Sequence, residues 1–409
     1  MVPRAATRWS VAGLAAVSAA WVLSGCSSIP TSMSASHTPV SIATPSATTS
    51  PAAATVTPTP SPPAAWTLPA AAAAEDLSVS SVTFVSTEEG WVLGSAPCGT
   101  SSQCLALMRT EDGGKTWVSV TPPPTSLLAG EEQGGVSEVR FANSQDGWAF
   151  DPELWSTHDG GATWTQISLP GVSSDAIVSS LETADGVVDA AVLDDNAMVR
   201  IETSPVGSDS WQVSPTTIPL GAGPAAMPQL VLQGAVGWLI EDDRTVIGGA
   251  RLIGGQWLPW QPPCLQVNGA AFLAASTPQD LVAVCDQGAW GPATPAGVYA
   301  YVSTDWGSSF AMLGTPLPSS IEDEGSSLAS PSPGVAFITA SVGLVGTFNG
   351  GATWTTVYSS PPGPGWPVYV GFETEAQGVA IWVNDQGLTT VGSLMMTFDG
   401  GTDWTTVTF

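Results

Sequence analysis

The motif Thr110-x-Asp112-x-Gly114-x-Thr116-Trp117 returns along this chain at a near-constant interval. Full copies are Thr157-x-Asp159-x-Gly161-x-Thr163-Trp164, Thr347-x-Asn349-x-Gly351-x-Thr353-Trp354 and Thr397-x-Asp399-x-Gly401-x-Asp403-Trp404. Ser303-x-Asp305-x-Gly307-x-Ser309-Phe310 is a conservative variant, and two further copies survive mainly as Trp211 and Trp257. The closing aromatics fall at 117, 164, 211, 257, 310, 354 and 404, with steps between 44 and 53 residues. A recurrence of that length means a repeat architecture, in which each unit buries its apolar face against its neighbours.

The residues around each box say which architecture. Between 17 and 27 residues before the closing aromatic of most units, a small residue leads into a short apolar run: Gly90-Trp91-Val92-Leu93, Gly147-Trp148-Ala149-Phe150, Gly237-Trp238-Leu239-Ile240, Gly334-Val335-Ala336-Phe337 and Gly378-Val379-Ala380-Ile381. Another extended run precedes it, as in 79–85 and 136–141. Each unit therefore reads as four short strands separated by turn residues, and helical periodicity is scarce after residue 75. Four strands per repeat of this length make a propeller blade. A period of about 48 residues divides the stretch from Asp76 to Phe409 into seven. The expected fold is all-β, a seven-bladed β-propeller of four-stranded antiparallel blades spanning 76–409.

The box has local reasons for its composition. Asp-x-Gly or Asn-Gly-Gly supplies a position that tolerates positive φ, and a short Asp or Asn side chain can bond nearby N–H groups. The third strand can then turn tightly into the fourth, where the aromatic begins the outer strand. The pattern resembles the Asp-box, or BNR, repeat. That resemblance implies a structural role for Asp112, Trp117, Asp159, Trp164, Asp305, Phe310, Asn349, Trp354, Asp399 and Trp404, on the hairpin between the third and fourth strands. The order Phe141-Ala142-Asn143-Ser144-Gln145-Asp146-Gly147-Trp148, followed by Thr157-His158-Asp159-Gly160-Gly161-Ala162-Thr163-Trp164, is similar to the photosystem II assembly and stability factor family. It implies a seven-bladed scaffold without catalysis. The chain departs from those factors in its arginines: Arg109, Arg140, Arg200, Arg244 and Arg251 are scattered among blades, which counts against a photosynthetic role.

Arg4 and Arg8 precede an apolar stretch from Trp9 to Leu23 that ends in Leu23-Ser24-Gly25-Cys26. A basic start, a short apolar core and small residues at the cut describe a secretory signal over 1–25. The tetrapeptide resembles a bacterial lipobox, which implies cleavage before Cys26 and acylation of Cys26. Two or three acyl chains would anchor the protein stably on the extracytoplasmic face of the cell membrane. Residues 26–75 are rich in Ser, Thr, Pro and Ala and have too few large apolar side chains to offset ordering entropy, so they read as a disordered tether. Such a tether spans roughly 40 Å as a flexible coil. Trp66 in Ala65-Trp66-Thr67-Leu68-Pro69 echoes an outer strand but is not counted as a blade.

Four cysteines remain once Cys26 is set aside. Cys98 and Cys104 share one loop, while Cys264 and Cys285 stand on neighbouring segments of one repeat. Each pair lies within a blade, so Cys98 with Cys104 and Cys264 with Cys285 is the expected disulfide pairing among three possible, in keeping with an exported protein. Neither spacing is Cys-x2-Cys, and the histidines are His37 in the tether and His158 in a box. No metal and no cofactor is expected. Without Arg4 and Arg8 the chain has six basic residues against 35 acidic, a formal charge near −29. A field of that sign repels nucleic acid and anionic lipid surfaces.

The box hairpins share a face with the loops that join first strands to second. The opposite face gathers the uneven insertions at 121–136, 213–228, 286–297, 314–327 and 384–393, and is the expected binding surface. Carboxylate runs fall among those connections: Glu131-Glu132, Asp194-Asp195, Glu241-Asp242-Asp243 and Glu322-Asp323-Glu324. Glu241, Asp242 and Asp243 read either as solvated loop or as a contact for a cationic partner. Trp290 in Gly288-Ala289-Trp290-Gly291-Pro292 and Trp366 in Pro364-Gly365-Trp366-Pro367 sit in loop-like contexts and are candidate binding residues, whereas Trp155, Trp260 and Trp382 read as strand residues.

Three functions fit these features to different degrees. A monomeric, non-enzymatic binding or assembly scaffold for a protein of the cell envelope uses the repeat, the anchor and the tether. An envelope carbohydrate-binding protein uses the same features with the loop tryptophans. A glycoside hydrolase is the third, because sialidases and some glucanases carry similar boxes. Against it, the Arg-Ile-Pro signature of sialidases is missing, and the tyrosines, Tyr299, Tyr301, Tyr358 and Tyr369, lie in the last three blades. The expected assignment is a scaffold and not an enzyme.

Overall fold

The computed structural model describes residues 76–98, 103–127, 134–173, 176–194, 198–219, 227–242, 245–265, 269–287, 297–318, 321, 327–341, 343–359, 365–385 and 390–409. The signal peptide, Cys26, the tether and Trp66 lie outside the described residues, as do Glu131, Glu132, Asp195, Asp243, Trp290 and the 322–324 run.

Every strand is antiparallel to its neighbour, and sequence order is spatial order within each sheet. Blade 1 is β1 (Ser78–Phe84), β2 (Gly90–Pro97), β3 (Gln103–Thr110) and β4 (Val118–Val120). Blade 2 is β5 (Val136–Phe141), β6 (Gly147–Pro152), β7 (Leu154–Thr157) and β8 (Thr165–Gln166). Blade 3 is β9 (Ile177–Ala184), β10 (Val187–Asp194), β11 (Met198–Pro205) and β12 (Gln212–Pro219). Blade 4 is β13 (Met227–Gln233), β14 (Val236–Asp242), β15 (Val246–Ile253) and β16 (Gln256–Trp260). Blade 5 is β17 (Gly269–Ala275), β18 (Leu281–Gln287), β19 (Gly297–Ser303) and β20 (Ala311–Pro316). Blade 6 is β21 (Leu328–Ser332), β22 (Val335–Ala340), β23 (Gly343–Thr347) and β24 (Thr355–Ser359). Blade 7 is β25 (Trp366–Phe372), β26 (Gly378–Asp385), β27 (Thr390–Thr397) and β28 (Thr405–Thr406). The protein is a seven-bladed propeller of four-stranded antiparallel blades.

Apolar burial is concentrated between blades. Seven clusters of buried side chains each join one pair of neighbours. Each box aromatic packs toward the preceding blade: Trp117 with blade 7, Trp164 with blade 1, Trp211 with blade 2, Trp257 with blade 3, Trp404 with blade 6. The tryptophan at the start of β2, Trp91, is fully buried and stacks on Phe141 of blade 2 with centroids 3.8 Å apart. Phe337 and Phe372 repeat that pairing between blades 6 and 7 at 4.8 Å.

The small residue before that aromatic follows from the same packing. A Cβ on Gly147 would lie 2.5 Å from the Phe141 ring, so the ring occupies the space a side chain would need. First strands also leave one edge without a neighbouring strand, whose N–H groups need acceptors. The preceding blade supplies them. Val139 N donates to Ser81 Oγ (3.1 Å), Leu230 N to Ser180 Oγ (3.2 Å), Leu273 N to Gln229 Oε1 (2.9 Å) and Val370 N to Ser327 Oγ (3.1 Å).

The ring closes without strand exchange, because blades 1 and 7 are each one continuous segment. Gly392 N donates to Ser78 Oγ at 3.0 Å, Ile381, Leu394 and Met396 pack with Val79, Val82 and Met108, and Phe409 lies against Trp117. Both expected disulfides are present, Cys98–Cys104 exposed at the end of β2 and β3, and Cys264–Cys285 buried.

Candidate functional site

The recurring carboxylates organise turns. Asp112 Oδ1 accepts from Thr110 Oγ1 (2.9 Å), Lys115 N (3.0 Å) and Thr116 N (2.8 Å), and Oδ2 accepts from Thr116 Oγ1 (2.6 Å). Asp159 and Asp305 repeat the arrangement with Thr163 and Ser309, and Asn349 keeps it with an amide. Asp399 accepts from Thr402 N and Asp403 N. Hydrogen bonding to the ionised form lowers a carboxyl pKa. The hydroxyl and N–H of Thr116 hold Asp112 at about 2, and those of Ser309 do the same for Asp305. Each box also bonds the hairpin joining the first two strands of its own blade, as in Gly113 N to Glu88 O (2.8 Å), Gly160 N to Gln145 O (2.9 Å) and Gly400 N to Ala376 O (2.9 Å). These hairpins share one face of the ring, the box face.

A polar cluster lines the inner strands of blades 7, 1, 2 and 3. Arg140 donates to Glu182 Oε1 at 2.7 Å, Ser81 donates to Glu138 Oε2 at 2.6 Å, and Tyr369 lies beside Arg140 in the wall of one small cavity. Burial raises Glu138 to about 7, against the opposing effects of the Ser81 bond and the Arg140 charge. Burial likewise raises Glu182 and Tyr369, and Glu373 to about 6. The cavity beside Arg140, Tyr369 and Glu373 holds about 70 Å³, on the order of two waters.

A larger space opens on the box face between blades 5 and 6. It holds about 280 Å³ and is lined by Asp280, Val282, Val302, Ser330, Ala336 and Trp354 among others. Register explains it. Leu281 pairs with the first box residue Ser303 as Gly90 pairs with Thr110, so Val282 stands where blade 1 has Trp91. On the facing strand β21, the end that carries Phe141 in blade 2 and Phe372 in blade 7 is a bulge between Ala329 and Ser332. Both members of the stacked aromatic pair are thus missing at this interface, and the fully buried members of its cluster are aliphatic. Trp354 borders the cleft with its Nε1 buried and without a hydrogen-bond partner. In contrast, Trp117 and Trp404 donate Nε1 to Gly114 O and Gly401 O, both at 3.1 Å.

Large apolar side chains crown the same sector. Trp306, Phe348 and Phe398 on the box hairpins of blades 5, 6 and 7 are 47%, 54% and 55% exposed. Blades 1 and 2 carry Glu111 and His158 where blades 6 and 7 carry Phe348 and Phe398. His158 bridges Asp146 (2.8 Å) and Asp209 (3.2 Å). Trp306 occupies the position of Gly113, Gly160, Gly350 and Gly400, and has φ of 59°. A bulky residue in the left-handed region is strained by about 1–2 kcal/mol, an outlier that points to a use.

The residues singled out from sequence separate into three groups. The box set and both disulfides are in place as structural devices. Glu241 and Asp242 belong to β14 and not to a connection. The strand is covered on both faces from Gly237 to Glu241, which buries Glu241 fully, and Asp242 Oδ2 accepts from Ala271 N at 2.7 Å, tying blade 4 to blade 5. Trp366 is the half-buried first residue of β25, paired with Val383, and is not a loop residue. Trp155, Trp260 and Trp382 are strand residues as expected. The box-face aromatics were absent from the expected site, although their signal is in the sequence as apolar departures at the variable box positions.

No family model matches the chain, and no curated protein matches it in sequence. Among solved structures, the chain is similar in fold to YCF48 bound to a D1 peptide, at 17% identity and a TM-score of 0.53, over 80% of this chain and 94% of that one. A Mycobacterium tuberculosis puromycin-hydrolyzing peptidase aligns at 13% identity and a TM-score of 0.53, over 83% of this chain and 54% of that one. An ancestral GH74 enzyme aligns at 12% identity and a TM-score of 0.51, over 82% and 55%. At these identities the likeness is one of fold.

Proposed function

We propose that this chain is a membrane-anchored extracytoplasmic lipoprotein whose propeller is a monomeric, non-enzymatic scaffold for a protein partner of the cell envelope. The observation that carries the reading is where the carboxylates are committed. General acid catalysis near neutral pH needs a carboxyl with a raised pKa within reach of substrate. The box carboxylates are accessible but held low by turn bonds, whereas Glu373, raised to about 6, lines a space of about 70 Å³, too small for a sugar ring. The propeller solved with a peptide supports the same reading, since the alignment spans nearly all of that chain. The peptidase and GH74 chains extend well beyond the aligned part. Anchoring through Cys26 and an Asp-box ancestry for the hairpins complete the proposal.

Crosslinking in the native envelope tests it: a specific protein partner is expected. Turnover on a broad panel of chromogenic glycosides would refute it, and binding confined to a glycan array would favour the carbohydrate-binding alternative.

A further inference from the structure

Resting on the scaffold reading, we propose that the box face of blades 5 to 7 docks a basic segment of the partner protein, one of whose apolar side chains fills the cleft between blades 5 and 6. Three independent observations converge there. The cleft has the place and character of a deleted aromatic pair: Val282 replaces the tryptophan, the facing strand bulges, and about 280 Å³ is left open to the surface. At the interfaces of blades 1 with 2 and 6 with 7 the same slot is filled from within, by Trp91 on Phe141 and by Phe337 on Phe372. An aromatic side chain supplied by a partner would restore those contacts.

Charge fixes the chemistry of what flanks that side chain. From Leu252 to Phe409 the sequence contains no Lys, Arg or His, while its acidic residues include Asp280 in the cleft wall, Asp305 in the adjoining box, and Glu375, Asp399 and Asp403 exposed beside Phe398. Arg251 of blade 4 approaches this sector, but its guanidinium donates to Trp306 O (3.0 Å) and Ser308 Oγ (2.9 Å). Arg251 brings one positive charge to this sector, and among the described residues the carboxylates outnumber it, so the surface attracts a basic segment over the Debye length. The exposed Trp306, Phe348 and Phe398 faces add cation–π partners for its Lys or Arg side chains. The strained Trp306 is explained as well, because a glycine there would relieve the turn and lose the platform.

The probe is a pentapeptide with phenylalanine between two pairs of lysines, titrated into the mature protein and followed by tryptophan fluorescence. Saturable binding is expected, weakening as salt is raised. Replacing its phenylalanine by alanine, or its lysines by glutamates, should weaken binding about tenfold or more, a change of about 1.4 kcal/mol. Val282→Trp, which refills the cleft, should do the same. The exposed pair Phe348→Ser and Phe398→Ser gives a second test; Phe348 also meets the buried Phe337 ring edge-on at 5.5 Å, so Phe398→Ser alone separates binding from folding. Equal binding of the glutamate peptide, or binding unaffected by both sets of variants, overturns the proposal. In cells, a benzophenone amino acid at position 348 should crosslink a protein, and one at Ser359 on the opposite face should not. Protein crosslinks from 359 alone overturn this inference and leave the scaffold reading standing; no protein crosslinks from either position, with glycan recovered instead, overturns both.

Discussion

Glu138 makes the pH dependence of stability a sharp test of the channel geometry. Its carboxyl sits on β5 within the ring, accepts from Ser81, and is raised from an ordinary 4.5 to about 7 by burial. Between those values the folded protein keeps a proton that the unfolded chain has released. Stability from this group is therefore fully present below pH 4.5, and is lost as pH rises toward 7. One pKa unit corresponds to 1.36 kcal/mol, so the loss is about 3 kcal/mol across the window. Asp112 and Asp305, held at about 2 by their turns, act in the other direction, and only below pH 3.8. Maximum stability should fall near pH 4 to 5.

Urea melts of the wild type between pH 4 and 8 should show this decline, and Glu138→Gln should make it shallower, the remaining slope belonging to carboxyls such as Glu182 and Glu373 that burial also raises. Glutamine keeps an oxygen for the Ser81 hydroxyl but has no charge to desolvate. General repulsion in a chain of net charge −27 also weakens the fold at higher pH, but that part is screened by salt while a buried group is not. The comparison therefore belongs in high salt. An unchanged slope in Glu138→Gln, or a wild type more stable at pH 7 than at pH 5, would refute the channel assignment.

Trp91→Ala should destabilise by about 3–5 kcal/mol, because the indole is fully buried and stacked on Phe141. Phe398→Ser, at an exposed hairpin, should stay within about 0.5 kcal/mol of wild type in the same urea melts. The exposed Cys98–Cys104 bridge should be reduced and alkylated under mild conditions that leave the buried Cys264–Cys285 bridge intact, as read by peptide mapping. Closing loops of 6 and 21 residues, the two bridges contribute about 2 and about 3 kcal/mol by loop entropy. Cys26→Ser should release the protein from membranes and remove the acyl mass from its N-terminal peptide; a variant that stays membrane-bound would count against lipid anchoring.

The seven-fold repeat was legible because its information is local. Asp112, Thr116 and Gly114 sit within a few residues of each other, and the turn they build needs nothing from the rest of the chain. Strand number per blade and the shared face of the hairpins follow from the same spacing. The acidic run at 241–243 misled because three carboxylates in sequence resemble a solvated loop, whereas β14 is covered on both faces by neighbouring blades, so that Glu241 is buried and Asp242 caps the next blade. The edge-capping side chains Ser81, Ser180, Gln229 and Ser327 were invisible for another reason. Each is an ordinary polar residue in its own strand, and gains its role only when the neighbouring blade presents an N–H to it.

The box face illustrates how a scaffold motif can also carry recognition. The residues that bend the hairpin are fixed by turn chemistry, but the position after the first Thr points outward and is free to vary. Blades 1 and 2 use it for Glu111, paired with Arg109, and for His158, paired with two aspartates. Blades 6 and 7 place Phe348 and Phe398 there, where no intramolecular ion pair is formed and large apolar area meets water. An aromatic at such a site contributes little to the fold, yet exposed apolar patches are costly to solubility and mark interaction surfaces. The cleft nearby shows the complementary deviation, loss of an aromatic from a buried slot. Loss inside and gain outside in the same sector are hard to derive from folding stability alone, since each opposes it. Together they are the expected pattern when an interface has moved its aromatic contacts from neighbouring blades to a partner.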